Sequence, residues 1–237
     1  MEPDARPFTE ASPFRIWHFV AVFLAALVVG VIGYSIGLSV RGEDVDDPSW
    51  GATVGSAIGQ FGTYAVALVW LSRSRGTGSL RRDYGLELRL RDWWCVPAGS
   101  AMLIGAGLVL LPLTRLVDDE QEVVEDIRDA TGAEVAVLVV IAVLLAPLFE
   151  ELLFRGLFLR SLLARMDQNY AIGVCGAVFA LVHALDFSMG TIVRLPALAA
   201  IGWTCAYLAV RHRSLSPAIL FHIGFNALSV AALVLGD

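Results

Sequence analysis

The stretch EVAVLVVIAVLLAPLFEELLFRGLF, residues 134–158, decides the fold class. It is long enough to cross a hydrocarbon core of about 30 Å as a helix, because a helix rises about 1.5 Å per residue. Most of its side chains are apolar, which is typical of a membrane span. It nevertheless contains Glu150, Glu151 and Arg155, and a charge inside a membrane is costly unless it is paired or hydrated. The stretch therefore predicts a membrane helix that carries a site.

The composition of the whole chain also predicts a membrane protein. Of its 237 residues 57% are hydrophobic and 17% are charged, whereas soluble domains are about 45–50% apolar. Apolar segments of spanning length fall at 15–40, 51–72, 93–116, 134–158, 170–187, 190–210 and 215–235. Since lipid offers backbone groups no partner and no barrel-like alternation is visible, we expect an all-α, polytopic bundle of about seven transmembrane helices. Residues 1–237 then form a single membrane domain.

The charges between these segments are segregated by sign. The loops 73–92, 159–169 and 211–214 are rich in arginine, whereas 41–47 and 118–134 are acidic. By the positive-inside rule the N-terminus and the basic loops are cytoplasmic and the C-terminus is extracytoplasmic. We therefore expect a multi-pass protein of the cell membrane. No basic and aromatic pattern suits nucleic acid, so none is expected as a partner.

Glycines at four-residue spacing predict close helix packing. Gly51, Gly55 and Gly59 form one such row, and Gly33 and Gly37 form another. The second row lies in GYSIG, which formally matches the serine-nucleophile pattern G-x-S-x-G. That motif requires a strand–turn–helix context, and this one lies inside a predicted span, so we interpret it as a packing motif. The three cysteines form no C-x-x-C pair and are expected to act as small hydrophobic residues.

The charged residues of the opening stretch divide by helix geometry. Glu151 and Arg155 are four residues apart, share a face and can pair. Glu150 is turned about 100° from Glu151 and has no local partner, which makes it a candidate general base. Pro147 removes one backbone donor and predicts a kink. The alternative is that all three charges form a structural clamp.

Two further segments place polar side chains inside spans. FALVH puts Phe179 and His183 on one helix face, and HIGFN does the same for His222 and Asn226. A single membrane histidine is often an interhelical hydrogen bonder. The second pair can equally stabilise an oxyanion, bind a metal or hold helices together. Asp186 is expected to mark a helix end. We expect the polar groups to converge in an intramembrane pocket open to the cytoplasm.

These residues resemble the CPBP family of intramembrane proteases, also called the Abi or CAAX-protease-like family. Its pattern is E-E-x-x-x-R, then F-x-x-x-H, then H-x-x-x-N on successive core helices. The matching positions, within residues 134–230, are Glu150-Glu151…Arg155, Phe179…His183 and His222…Asn226. The resemblance implies a catalytic core in that range and hydrolysis of a peptide bond within or beside the membrane.

The resemblance also implies roles for individual residues. Glu150, helped by His183, would activate a water molecule. His222 and Asn226 would stabilise the tetrahedral oxyanion. The supporting residues would be Glu151, Arg155 and Phe179.

Members of the family are commonly labelled metalloproteases. Glu150, His183 and His222 form a ligand set that permits zinc, although the chain has no H-E-x-x-H motif. We favour a water activated by glutamate without a metal.

Other readings of the sequence remain open. A non-catalytic scaffold, or an immunity factor of the bacteriocin type, could bind a peptide in the same pocket. A small transporter or proton relay is disfavoured because the spans show no inverted repeat. The substrate would be a peptide or a membrane protein. The use of arginine without lysine, together with many Gly, Ala, Val and Leu residues, indicates a bacterial source.

Overall fold

The computed structural model describes residues 12–41, 50–114, 132–184 and 189–235. Within these ranges every regular element is a helix. Most of the acidic loops 41–47 and 118–134, and Asp186, lie outside the described residues. The helices are α1 (Ile16–Arg41), α2 (Trp50–Arg75), α3 (Leu80–Tyr84), α4 (Cys95–Thr114), α5 (Ala133–Val140), α6 (Ala146–Glu151), α7 (Arg160–Leu163), α8 (Gln168–Val182), α9 (Met189–His212) and α10 (Ser216–Leu235).

The predicted helical membrane bundle is confirmed. Among the described residues, six helical stretches are long and apolar enough to cross a membrane, and α8 is a shorter apolar helix. The predicted fifth span, 170–187, was placed too late: α8 begins at Gln168 and ends at Val182. It ends there because the chain tightens, so that the His183 N–H donates to the Ala180 carbonyl three residues back.

Two π-helical segments interrupt the helix that carries the charges. Residues 133–163, which we call the central helix, run through α5, a π segment at Ile141–Leu145, α6, a second π segment at Leu152–Leu159, and α7. Each π turn inserts one extra residue between donor and acceptor, and such turns are frequent at functional sites. Glu150 and Glu151 lie on the short α-helical piece between the two π segments.

Glycines bring α1 and α2 together, as their spacing predicted. A Cβ atom added at Gly33 would collide with the carbonyl oxygen of Gly55, and one added at Gly37 would collide with that of Gly51. Gly59 is packed in the same way against the backbone of Val29. Only glycine allows the two backbones to approach so closely.

Aromatic rings join this α1–α2 pair to the central helix. The ring of Phe19 lies 4.3 Å from that of Phe158 and 5.3 Å from that of Phe154, centroid to centroid. On α2, the ring of Phe61 stacks on that of Phe149 at 5.4 Å. Phe149 directly precedes Glu150, so α2 packs against the turn that carries the candidate base.

Candidate active site

The core of the site is an ion pair within the central helix. Arg155 Nη1 donates to Glu151 Oε1 at 2.8 Å, and neither side chain is exposed. Arg155 Nη2 donates to the carbonyl of Gly202 on α9 at 2.9 Å. The guanidinium carbon also lies 4.5 Å from the centre of the Phe179 ring on α8. The pairing expected from the four-residue spacing is therefore present, and it also ties the central helix to α8 and α9.

His222, on α10, extends this pair. Its Nδ1 lies 3.0 Å from Glu151 Oε1. A carboxylate that is paired with a guanidinium can only accept hydrogen bonds, so Nδ1 carries a proton and donates it. The orientation leaves Nε2 facing Glu150, whose Oε2 is 3.7 Å away.

His183 is oriented by a different group. Its Nδ1 lies 2.7 Å from the carbonyl oxygen of Phe179. A carbonyl oxygen only accepts, so Nδ1 again carries the proton, and the neutral ring has a bare Nε2. That atom lies 3.9 Å from Glu150 Oε2.

The Glu150 carboxylate thus lies beside both imidazole rings. Its side chain is 22% exposed, compared with 5% for His222 and 33% for His183. The separations of 3.7 and 3.9 Å exceed a direct hydrogen bond. One small ligand atom, such as a water oxygen, can bridge the carboxylate and a ring nitrogen at these separations. Residues from the central helix, α8 and α10 therefore form one polar cluster.

Asn226 lies one helical turn beyond His222 on α10. Its Nδ2 donates to the carbonyl of Ala142 at 2.8 Å, in the first π segment of the central helix. One of the two amide N–H groups is therefore used within the protein, and the second is left for another acceptor.

The donor atoms fit a metal in their chemistry. In zinc sites the imidazole usually donates its far N–H to a carboxylate or a backbone carbonyl, as His222 and His183 do here. Among the described residues, a group whose ligand atoms all lie within 4.8 Å of one another is Glu151, Cys205 and His222. A cation held by Glu151, Cys205 and His222 would compete with the Arg155 guanidinium for the Glu151 carboxylate.

Two residues near the carboxylates were not singled out from the sequence. Cys205 on α9 is fully buried beside Glu151, with Sγ 3.7 Å from the Ala218 carbonyl. Tyr64 on α2 is 3% exposed, and it lies within electrostatic range of Glu150. Neither belongs to a motif, so only their depth in a span could have suggested them.

Comparison with known proteins agrees with the motifs. Residues 132–228 match the family described as type II CAAX prenyl endopeptidase Rce1-like. No curated protein and no solved structure matched the chain. The matched range contains all three motifs and begins after α1–α4. It confirms the resemblance to the CAAX-protease-like family and, at the level of the family, supports a membrane endopeptidase.

Proposed function

We propose that the protein is an intramembrane endopeptidase of the CPBP family, in which Glu150 and His183 activate a water molecule. The observation that carries the proposal is the cluster in which Glu150 Oε2 faces the Nε2 atoms of both His183 and His222, at 3.9 and 3.7 Å. Protein charges inside a membrane are rare and mark functional sites. Here one carboxylate, Glu151, is neutralised by Arg155, and the other remains available.

The chemistry follows from the positions of the protons. Glu150 accepts a proton from water while the bare Nε2 of His183 holds the same water by its second hydrogen. The water oxygen attacks the peptide carbonyl carbon and forms a tetrahedral intermediate. Glu150 then returns the proton to the amide nitrogen as the C–N bond breaks. The products are a carboxylic acid and an amine, so one water molecule is consumed.

His222 and Asn226 are the candidate donors to the oxyanion. Because Nδ1 of His222 donates to Glu151, Nε2 donates only when the ring carries both protons. Asn226 keeps one N–H beyond its bond to Ala142. A well-placed donor to an oxyanion contributes about 10²–10³-fold in rate.

Zinc is compatible with the same residues. Glu150, His183 and His222 would hold the ion, which when bound would polarise the peptide carbonyl and lower the pKa of a bound water. The zinc content of purified protein, and its activity after chelation, separate the two mechanisms. Retained activity in zinc-free protein supports water activated by Glu150, whereas loss that added zinc restores contradicts it.

An apolar groove lies between α2 and the central helix. Its volume is about 460 Å³, and its lining includes Ala57 and Phe61 from α2 and Val137, Ile141 and Leu145 from the central helix. Phe61 also stacks on Phe149, next to Glu150. A groove of this composition suits apolar side chains, which supports a substrate that is a membrane protein or a hydrophobic peptide.

The test is a comparison of cells that carry the wild type or Glu150→Gln. We expect membrane-derived peptide fragments that appear with the wild type to disappear with the variant, because glutamine cannot accept the proton. Loss of a general base typically costs about 10²–10⁴-fold in rate. His183→Ala should give the same loss.

The matched control is Glu87→Gln, which makes the same chemical change in the loop before α4, away from the site. It should leave the fragments unchanged. Full cleavage by Glu150→Gln would contradict the proposed role of that residue. A cellular phenotype that survives in Glu150→Gln would favour a scaffold that binds peptides without cleaving them.

A further inference from the structure

The first π segment of the central helix has a hydrogen-bond register that Pro147 interrupts. The N–H of Ala146 donates to the carbonyl of Ile141, five residues back. In the same register the next donor is residue 147 and the next acceptor is Ala142. Pro147 has no N–H. The carbonyl of Ala142 therefore loses the backbone donor that the register assigns to it.

Asn226 supplies the missing donor from another helix. Its Nδ2 lies 2.8 Å from the Ala142 oxygen, although the two residues are 84 apart in sequence. Within the hydrocarbon region no water donates a hydrogen bond to an unsatisfied carbonyl, so a protein donor is needed. The bond fixes one N–H of the amide and hence the plane of the side chain, one turn beyond His222.

We propose that Pro147 is a positioning residue: by freeing the Ala142 carbonyl, it holds the Asn226 amide in the orientation that the active site requires. This inference rests on the proposed function, in which Asn226 donates to the oxyanion. A residue with an N–H at position 147 would offer Ala142 a donor on its own helix, five residues away in the sequence. The Asn226 amide would then be released to rotate about its terminal torsion, which is intrinsically broad.

The first test is a stability cycle that does not depend on activity. Thermal unfolding in detergent is compared for the wild type, Asn226→Ala, Pro147→Ala and the double variant. In the native background, Asn226→Ala leaves the Ala142 carbonyl without a hydrogen-bond donor and should lower the melting temperature by about 2–4 °C. In the Pro147→Ala background the backbone donor is present, so the same substitution should lower it by clearly less.

Pro196, which lies inside α9, offers the matched control. Pro196→Ala also restores a backbone donor within a membrane helix, but not at Ala142. Its effect on the melting temperature should be independent of Asn226→Ala. Equal losses for Asn226→Ala in the native and Pro147→Ala backgrounds would overturn the proposal. Should Pro147→Ala fail to fold, Pro147→Gly supplies the same N–H without a Cβ and takes its place in the cycle.

The second test separates positioning from simple support. Initial rates are measured with purified protein in detergent and a library of quenched fluorescent peptides, and kcat and KM are resolved for the best substrate. Pro147→Ala should lower kcat about tenfold or more, because a misaligned donor acts in the transition state, and leave KM within about twofold. Pro196→Ala should leave both unchanged.

The outcomes of the two tests are distinguishable. If Pro147→Ala reduces the effect of Asn226→Ala on the melting temperature but leaves kcat unchanged, Pro147 is a structural residue and the positioning role is overturned. Absence of cleavage by the wild type itself would overturn the proposed function and the positioning role together. In that case the stability cycle still decides whether Pro147 and Asn226 act on the same carbonyl.

Discussion

At the scale of single residues, Arg155 shows how a charge is kept inside this bundle. Its guanidinium has no exposed surface and is held by Glu151, by the Gly202 carbonyl and by the ring of Phe179. The contacts with Gly202 and Phe179 come from α9 and α8, so they exist only in the folded bundle. Burying a charge pair gives little net stability, but removing one member leaves the other uncompensated.

We therefore expect Arg155→Met to destabilise the protein by about 3–5 kcal/mol, because Glu151 would be left buried without its cation. The double variant Glu151→Gln/Arg155→Met should be less destabilised than Arg155→Met alone, since it leaves no buried charge. Denaturant unfolding in detergent measures both. The control is Arg91→Met, which removes an ion pair with Asp92 whose arginine side chain is 74% exposed. It should cost at most about 1 kcal/mol. Equal losses at both positions would contradict the prediction.

Part of the site was predictable from local helix geometry and part was not. A spacing of four residues was enough to pair Glu151 with Arg155 and to leave Glu150 without a partner within its own helix. The contact between His222 and Glu151 joins residues 71 apart, and no local pattern encodes it. The same holds for Tyr64, whose proximity to Glu150 depends on how α2 packs against the central helix.

At the scale of helices, glycine rows decide how closely α1 and α2 pack. Gly55→Ala places a Cβ against the backbone of Gly33, and a backbone cannot move aside as a flexible side chain can. We expect it to cost about 1–3 kcal/mol, measured by unfolding in detergent. Gly62 on the same helix provides the control, because a Cβ there meets no atom within 4 Å. Gly62→Ala should be neutral or slightly stabilising. A neutral Gly55→Ala would show that the two helices can separate without loss.

The apolar lengths and the glycine spacing predicted the helices and one of their interfaces, because both depend on local composition. The two π segments were not predicted, since a π turn leaves no apolar period of its own. Pro147 predicted a kink, and the structure has a π segment directly before α6. The proline is therefore accommodated by a change of hydrogen-bond register, which also gives Asn226 its acceptor.

At the scale of the whole molecule, the site depends on helices from both halves of the chain. The family match covers residues 132–228, which supply Glu150, His183 and His222. The α1–α2 pair lies outside that range, yet it contacts the central helix through Phe19 and Phe61. These helices support the turn that presents Glu150, so a chain truncated to residues 132–228 would lack that support.

The orientation of the bundle in the membrane depends on whether α8 crosses it. With 15 residues, α8 is about 22 Å long and shorter than the hydrocarbon core of about 30 Å. The basic residues Arg165, before α8, and Arg211, after α9, nevertheless place the start of α8 and the end of α9 on the same, cytoplasmic side of the membrane. Because α9 crosses the membrane once, α8 must cross it as well. We therefore expect seven crossings, with the N-terminus in the cytoplasm and the C-terminus outside.

Reporter fusions measure this directly. Alkaline phosphatase, which is active only outside the cytoplasm, should be active when fused after Asp237 and inactive when fused after Arg91. A fluorescent protein that matures in the cytoplasm should give the reciprocal result at the same two positions. An inactive phosphatase after Asp237 would mean six crossings, with α8 entering the membrane without traversing it. His183 would then sit at the end of a re-entrant helix, and the charge of the loops would have been a poor guide to its depth.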